Sequence, residues 1–266
     1  MKNKKFWEFK AKGEASGELL LYGDIADAQA WWGNGNEITP KDFKADLDAL
    51  GDITELNVYI NSGGGDVFAG QTIYSILKRH KANVIVTIDG LAASIASIIA
   101  MAGDKIVMPC NATIMIHNPM SGVMGNANEM RDMADTLDKI RESMLAVYKA
   151  KTGMKEEDLI KLLDAETWMT AEDALKNGFC DEIQEGKQVA ASLNNKILSI
   201  NGVSIDVTKY KNLKIDKFKF VNIEKPAKVE PIILDTEGPI ETIAEDAKSK
   251  EEIEKLKAKL ALECEL

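Results

Sequence analysis

Two spacings of apolar residues alternate along the first two thirds of the chain. Apolar residues at every second position predict strands, and apolar residues three or four positions apart predict helices. The strand pattern occurs at Glu18–Tyr22, Leu56–Ile60, Val84–Ile88, Lys105–Met108 and Thr113–Ile116. The helix pattern occurs at Pro40–Leu50, Val67–Leu77, Ser94–Met101, Ala127–Ala150, Glu156–Leu163 and Ala171–Asn177. Because the two kinds of element follow one another in turn, the sequence predicts an α/β fold with helices covering a sheet.

Residues typical of helix and strand ends support these boundaries. Thr39 can cap the first helix, and Pro40 suits its first position. Asn126, with Glu129 three residues later, forms a capping-box pattern at the start of the long helix. Gly90 interrupts the apolar alternation of the third strand and is expected to end it.

The pattern changes beyond about residue 188. Weak alternation between Lys196 and Ile223 predicts one or two strands. Three prolines between residues 226 and 239 then lie in an acidic stretch that is typical of a linker. Helical spacing over Ser249–Leu266 indicates either a solvated terminal helix or a short coiled coil, and two heptads do not decide between them.

Composition narrows the class of protein. The formal net charge of −10 argues against a protein that binds nucleic acid through phosphate contacts. The three cysteines are far apart, form no Cys-x-x-Cys pair and have no histidine beside them in sequence. This usage favours a reducing compartment and disfavours both a structural zinc site and a cysteine nucleophile.

No segment is typical of export or membrane insertion. The lysines near the start of the chain are followed by no apolar run, so they do not indicate a signal peptide. The longest apolar stretch, Gly90–Gly103, has about fourteen residues and is too short to cross a bilayer. A cytoplasmic protein without a membrane contact is therefore expected.

The first residue with candidate chemistry is Ser94, which follows Gly90 and two alanines. A serine where a strand turns into a helix lies near backbone N–H groups that have no partner inside the helix. Such donors can stabilise an oxyanion, so Ser94 could serve as a nucleophile. It could equally be an ordinary helix N-cap, and Ser97, one turn further on, is a rival.

The two histidines differ in their surroundings. His80 lies at a basic helix end, where a cation suits the helix dipole, so a structural role is expected. His117 ends a β-branched strand and precedes Asn118-Pro119, and strand ends that meet loops commonly present functional groups. Taken alone, His117 could still be a structural histidine.

Three consecutive glycines, Gly63, Gly64 and Gly65, join a predicted strand to a helix. Glycines permit positive φ and a close approach of another backbone segment. The loop lacks the Gly-Lys-Ser/Thr ending and the Gly-x-Gly-x-x-Gly spacing of nucleotide-binding loops. The remaining interpretation is a groove wall whose N–H groups face a peptide or an acyl oxygen.

The order of these motifs resembles ClpP, the proteolytic subunit of the Clp protease, from about Leu19 to Ile183. The run Ile60–Gly70 is similar to that family's Asn-Ser-Pro-Gly-Gly segment, and Gly90–Ser94 to its nucleophile segment. The run Ile114–Pro119 is similar to its histidine strand, and Thr170–Ala174 to the stretch after its acid. The run Asp66–Gly70 (Asp-Val-Phe-Ala-Gly) and the C-terminal extension resemble the phage and prophage branch of that family, which includes head-maturation proteases.

The resemblance implies a serine endopeptidase with a catalytic triad. Ser94 would be the nucleophile and His117 its general base, with Glu166 at the position of the family's aspartate. The backbone N–H groups of Gly65 and Ile95 match the family's oxyanion donors. No metal and no cofactor are implied.

Two departures from the family pattern bear on the site. Gly63 replaces the usual proline of the glycine loop, which loosens that turn. Glu166 is one methylene longer than an aspartate, and Asp164, two residues earlier, is an alternative acid. A Ser-His dyad without any acid is the third possibility.

The resemblance also implies a ClpP/crotonase-type α/β fold with a C-terminal extension. The expected divisions are an N-terminal segment at 1–17, the peptidase domain at 18–190, a possible β extension at 191–225, and the acidic linker and terminal helix at 226–266. Expected partners are polypeptide substrates, further copies of the chain in rings with the long helix between them, and a separate AAA+ unfoldase for folded substrates.

Three other interpretations remain open. A crotonase-type acyl-CoA enzyme would share the fold and the oxyanion hole without needing Ser94 and His117. A Ser/Lys peptidase would need a lysine near the nucleophile, and Lys105 is the nearest candidate. A non-enzymatic assembly protein would use the tail as a scaffold-like segment.

Overall fold

The computed structural model describes residues 5–13, 15–25, 40–185, 191–194, 197–200, 203–206, 208 and 210–212. These residues form one eight-stranded sheet with six helices, and a separate three-stranded sheet. The Thr39 cap, the acidic linker and the terminal helix that the sequence predicts lie outside the described residues.

The large sheet is parallel at its centre. Its strands are β1 (Trp7–Ala11), β2 (Ser16–Tyr22), β3 (Glu55–Ser62), β4 (Asn83–Ala93), β5 (Lys105–Pro109), β6 (Thr113–Ile116), β7 (Thr167–Thr170) and β8 (Glu182–Gln184). Strands β2, β3, β4, β5 and β8 lie side by side in parallel, while β1 joins the edge antiparallel to β2. Strand β1 was not predicted, because only Trp7 of its five residues is buried.

Gly90 does not end β4, contrary to the expectation. The strand is 11 residues long and changes partner along its length. Ile85–Thr87 pair with β5, whereas Leu91–Ala93 pair with β6, also in parallel. The glycine therefore lies between two pairing segments of one strand, and the second segment leads directly to Ser94.

Three neighbouring parallel strands end at the same edge of the sheet. Ser62, at the end of β3, pairs with Ala92, and Ala93 of β4 pairs with Met115 of β6. The residues that follow these strands are the three glycines, Ser94 and His117. This register is what brings segments distant in sequence into one site.

The antiparallel strand β7 adds a fourth element to this edge. Its first residue, Thr167, pairs with Ile116, the last residue of β6. One step further in the same register, Glu166 comes opposite His117. Glu166, at the position that the family resemblance assigns to the acid, therefore lies beside His117 at this edge of the sheet.

Six helices surround the sheet: α1 (Pro40–Asp48), α2 (Val67–Lys78), α3 (Ile95–Ala100), α4 (Ala127–Thr152), α5 (Glu156–Asp164) and α6 (Ala171–Lys176). The predicted capping box is present, since Asn126 and Glu129 each bond the other's backbone at the start of α4. All six residues of α3 are buried, so this short helix is part of the core. None of the helices in the described ranges is long and apolar enough to span a bilayer.

Helix α4 is only partly covered by the rest of the chain. Its buried side chains, Met144, Leu145 and Tyr148, all lie in the C-terminal half. Met130 in the other half is 50 % exposed, and Met124 just before the helix is 99 % exposed. Within the described residues, the N-terminal half of α4 is therefore less covered than its C-terminal half.

Three short strands follow the large sheet and its helices: β9 (Ala191–Asn194), β10 (Ile197–Ile200) and β11 (Val203–Asp206). They pair as an antiparallel meander with β10 at its centre. Strands β10 and β11 lie within Lys196–Ile223, where weak alternation predicted one or two strands, and β9 lies just before that range.

Candidate active site

Ser94 occupies a sharp turn between β4 and α3. Its φ of 56° and ψ of −127° put it in a region that non-glycine residues rarely adopt. Its side chain makes no capping hydrogen bond, so the alternative of an ordinary N-cap is wrong. A serine on a strained strand-to-helix turn presents its hydroxyl outward, as in the nucleophile turn of α/β-hydrolases.

The hydroxyl of Ser94 lies 2.7 Å from Nε2 of His117. This is the distance required for a base to take the serine proton. The main chains are also tied together, because the Ser94 N–H donates to the Met115 carbonyl at 2.9 Å. The parallel pairing of β4 with β6 therefore holds the two side chains in register.

His117 is electrostatically suited to act as a base. Its burial lowers the pKa of the imidazole below the ordinary value of 6.5, and the nearby Glu166 carboxylate opposes part of that effect. The imidazole is therefore neutral at pH 7, and Nε2 can accept a proton.

Lys105, the candidate base of a Ser/Lys peptidase, does not take the place of His117. Its ammonium group forms an ion pair with Glu182 on β8.

The glycine loop packs directly against the nucleophile. A Cβ atom on Gly64 would come within 2.7 Å of the Ser94 Cβ and 2.8 Å of the Ala93 carbonyl oxygen. A Cβ atom on Gly65 would come within 1.9 Å of the Ile25 carbonyl oxygen. Both glycines also have positive φ, at 97° and 147°, so larger residues are excluded twice over.

Two backbone N–H donors at this edge are unpaired within the part of the chain that the structure describes. Among the described residues, the N–H groups of Gly65 and Ile95 donate no hydrogen bond. Gly65 belongs to the loop beside Ser94, and Ile95 is the first residue of α3. These are the two groups expected from the sequence to be oxyanion donors.

The two candidate acids have different surroundings. Glu166 is buried, at 8 % exposure, with a φ of 47°. Its carboxylate accepts hydrogen bonds from the backbone N–H groups of Lys211 and Asn212 and from Nε1 of Trp168. Asp164 instead accepts from the Asn118 side chain at 2.7 Å. Within the described part of the chain, neither carboxylate hydrogen-bonds to His117, although Glu166 is close enough to affect its pKa.

A buried polar pair lies beneath the nucleophile. The Ser97 hydroxyl lies 2.8 Å from the Tyr148 hydroxyl of α4 and donates to the Ser94 carbonyl at 2.5 Å. Ser97 is therefore not a rival nucleophile: it is fully buried and bonded on both sides. The pair connects the C-terminal half of α4 to the backbone of Ser94.

We expect Ser97→Ala to destabilise the fold by about 1–3 kcal/mol, because it leaves the buried Tyr148 hydroxyl without its partner. Tyr148→Phe should cost less, since Ser97 keeps its bond to the Ser94 carbonyl. The double variant should be more stable than Ser97→Ala alone. Urea denaturation measures all three, and an additive double variant would contradict this interpretation.

A cavity of about 470 Å³ opens in front of the Ser94–His117 pair. The glycine loop forms one side, and the lining also includes Asp24, Met120, Ile197, Ser204, Asp206 and Tyr210. Residues beyond 190 were not expected in the site. Nothing in their local sequence indicated this contact, because more than 100 residues separate them from Ser94.

Comparison with known proteins identifies the family. The Clp protease family model matches residues 44–187, more than half of the chain. The chain belongs to the Clp protease family. The ATP-dependent Clp protease proteolytic subunit of Deinococcus radiodurans is 34 % identical over 140 residues, which are 52 % of this chain and 68 % of that protein. The protein of the same description from Porphyromonas gingivalis is 32 % identical over 142 residues, which are 52 % of this chain and 64 % of that protein.

Membership of the Clp protease family confirms the ClpP-type fold that the resemblance implied. It also identifies the chain as a serine-type peptidase, a hydrolase, and not as an acyl-CoA enzyme of crotonase type. The matched region ends at residue 187, so Ile197, Ser204, Asp206 and Tyr210 of the cavity lie beyond it.

Proposed function

We propose that this Clp protease family member is an endopeptidase in which Ser94 is the nucleophile and His117 the general base. The observation that carries the proposal is the 2.7 Å contact between Ser94 Oγ and His117 Nε2 at the cavity. The strained turn at Ser94 and the low pKa of His117 support the same assignment.

The reaction follows from these groups. As the Ser94 oxygen attacks the peptide carbonyl, His117 takes the hydroxyl proton and later gives it to the leaving amine. The N–H groups of Gly65 and Ile95 stabilise the negative charge on the carbonyl oxygen. Water then attacks the acyl-enzyme, again with His117 as base, and releases the second product.

Glu166 is proposed as the third member of the triad. Its buried carboxylate stabilises the His117 imidazolium that forms during the reaction, because opposite charges nearby favour the charged form. Each carboxylate oxygen has two lone-pair positions, so the bonds from Trp168, Lys211 and Asn212 leave room on Oε2 for one from His117. Asp164 has its own partner in Asn118, which favours Glu166 over the alternative acid.

We expect Glu166→Gln to lower kcat by up to about 10⁴-fold and to move the acidic limb of the kcat/KM profile to lower pH. The direction follows from the charge: Glu166 raises the pKa of His117, so its neutralisation lets the base stay neutral further into acid. Asp164→Asn is the matched control and should leave both quantities nearly unchanged. A loss confined to Asp164→Asn would transfer the role to Asp164, and no loss in either would leave a dyad.

The proposed activity is tested by incubating the purified chain with a library of short fluorogenic peptides. Hydrolysis that stops when Ser94 is modified supports it. A protein that cleaves no peptide and no activated ester would favour the non-catalytic alternative, a phage assembly protein. The tail at 226–266 is the segment such a role would use.

We further propose that the chain acts as an assembly of several copies. The open N-terminal half of α4 and the exposed Met130 and Met124 offer an apolar surface larger than one copy covers. A monomeric mass by light scattering at micromolar concentration would contradict this.

We also propose two roles that go beyond the chemistry of the site. The Asp66–Gly70 motif suggests a role in phage or prophage head maturation, and the family suggests cooperation with a separate AAA+ unfoldase for folded substrates.

A further inference from the structure

A segment beyond the family-matched region contacts two parts of the candidate site at once. Residues 210–212, here called the brace, follow the three-stranded meander. The Tyr210 hydroxyl donates to the Gly63 carbonyl at 2.8 Å, across 147 positions of sequence. The next two residues of the brace donate to Glu166.

The contact with Gly63 restrains the loop that carries an oxyanion donor. Three consecutive glycines have more conformational freedom than any other tripeptide, so an ordered loop needs contacts that fix it. Tyr210 supplies one from outside the loop. Its burial and the Asp24, Glu166 and Asp206 carboxylates raise the pKa of the phenol to about 12, so the hydroxyl remains a donor at neutral pH.

The contacts with Glu166 hold its carboxylate by the main chain of the brace. Lys211 N–H donates to Oε2 at 2.9 Å and Asn212 N–H to Oε1 at 2.8 Å. The Asn212 side chain also donates to the Ala165 carbonyl at 2.8 Å. In the described part of the chain, no lysine or arginine forms an ion pair with Glu166. The backbone N–H groups of Lys211 and Asn212 therefore stabilise the charge of its carboxylate.

Aromatic packing places Tyr210 of the brace next to Trp168 and near His117. The Tyr210 ring packs edge-on against Trp168, with ring centres 5.2 Å apart, and lies 6.5 Å from the His117 ring. Trp168 in turn donates to Glu166. Tyr210 therefore contacts the glycine loop directly, lies near His117, and is linked to Glu166 through Trp168.

The geometry favours a supporting role over an inhibitory one. An inhibitory lid would fill the cleft or separate the catalytic pair. Here the cavity of about 470 Å³ remains beside the brace, and the Ser94–His117 contact is formed with the brace in place. Ile197 and Tyr210 border the cleft without occupying it.

On the basis of the function proposed above, we infer that Tyr210 is a positioning residue of this peptidase. It holds the glycine loop against Ser94, while Lys211 and Asn212 fix the Glu166 carboxylate beside His117. The site is then completed by a segment beyond the part of the chain that matches the family.

Tyr210→Phe tests the inference, because it removes the hydroxyl and keeps the ring. Hydrogen exchange of the Gly63–Asp66 amides should become about five- to tenfold faster, as expected for the loss of one hydrogen bond. For a short peptide substrate, kcat should fall about tenfold with KM nearly unchanged. Tyr74→Phe on α2 is the matched control, since within the described residues the Tyr74 hydroxyl makes no hydrogen bond, and it should change neither quantity.

A second pair of variants tests the acid contact. Asn212→Ala and Asn212→Pro both lose the side-chain bond to the Ala165 carbonyl, but only the proline variant also loses the N–H that bonds Glu166, so its kcat should be more than about threefold below that of Asn212→Ala. Unchanged exchange at the glycine loop in Tyr210→Phe, or an increase of kcat in either Tyr210→Phe or Asn212→Pro, would overturn the inference. Exchange reports the restraint even if the wild-type chain cleaves no peptide, and that result would count against the proposed function alone.

Discussion

Ser94→Ala should abolish peptide hydrolysis and leave the protein folded. The substitution removes the hydroxyl that contacts His117, and loss of a triad nucleophile typically costs about 10⁴- to 10⁶-fold in kcat. The Ser97 bond to the Ser94 backbone carbonyl is unaffected, because it involves no side-chain atom of Ser94. The measurement is kcat/KM on a fluorogenic peptide.

Ser75→Ala is the control for this variant. Ser75 is exposed on α2, away from the cavity, and its loss should leave the activity intact. Both variants should keep the circular dichroism spectrum and urea midpoint of the wild type within error. Near-normal hydrolysis by folded Ser94→Ala protein would show that another residue is the nucleophile.

Gly65→Ala should have the second-largest effect, lowering kcat by about 10²- to 10³-fold or more. The added Cβ would lie 1.9 Å from the Ile25 carbonyl oxygen, so the loop must move. Movement displaces the Gly65 N–H from the position where the carbonyl oxygen of the substrate develops its charge. Loss of one oxyanion donor alone accounts for a decrease of that size.

Gly51→Ala separates the clash from backbone strain. Gly51 also has positive φ, at 73°, but a Cβ added there would meet no atom within 4 Å, and the residue is remote from the cavity. It should cost some stability and no activity. Equal loss of activity in the two variants would indicate a general effect on folding instead of a displaced donor.

The strands and helices near the site could largely be predicted from apolar spacing, because each is decided by residues close in sequence. The Gly90 position shows the limit of this approach. Whether a glycine ends a strand depends on its partners, and β4 continues because β6 pairs with it where β5 stops. Those partners come from later in the chain.

The candidate site was predictable to different depths. Ser94 and His117 became strong candidates only when their order was compared with the family, since either alone has an ordinary structural interpretation. The acid position followed from the same comparison, but the partners of Glu166 did not. Two of its three bonds come from residues 45 and 46 positions further on.

Tyr210 could not have been found from sequence. It lies outside the family-matched region, and its contact with Gly63 depends on how the chain beyond the meander returns to the core. The sequence did show that Gly63 replaces the family's proline, and from this a looser turn was expected. What restrains that turn is a side chain 147 residues away.

The most direct test of Ser94 as nucleophile is reaction of the purified chain with a fluorophosphonate, followed by intact mass and peptide mapping. A fluorophosphonate forms a covalent bond with a serine oxygen that a neighbouring base has activated. We expect one adduct per chain, located on Ser94 and absent from Ser94→Ala. No adduct on the folded wild-type protein, or an adduct on a different serine, would contradict the assignment.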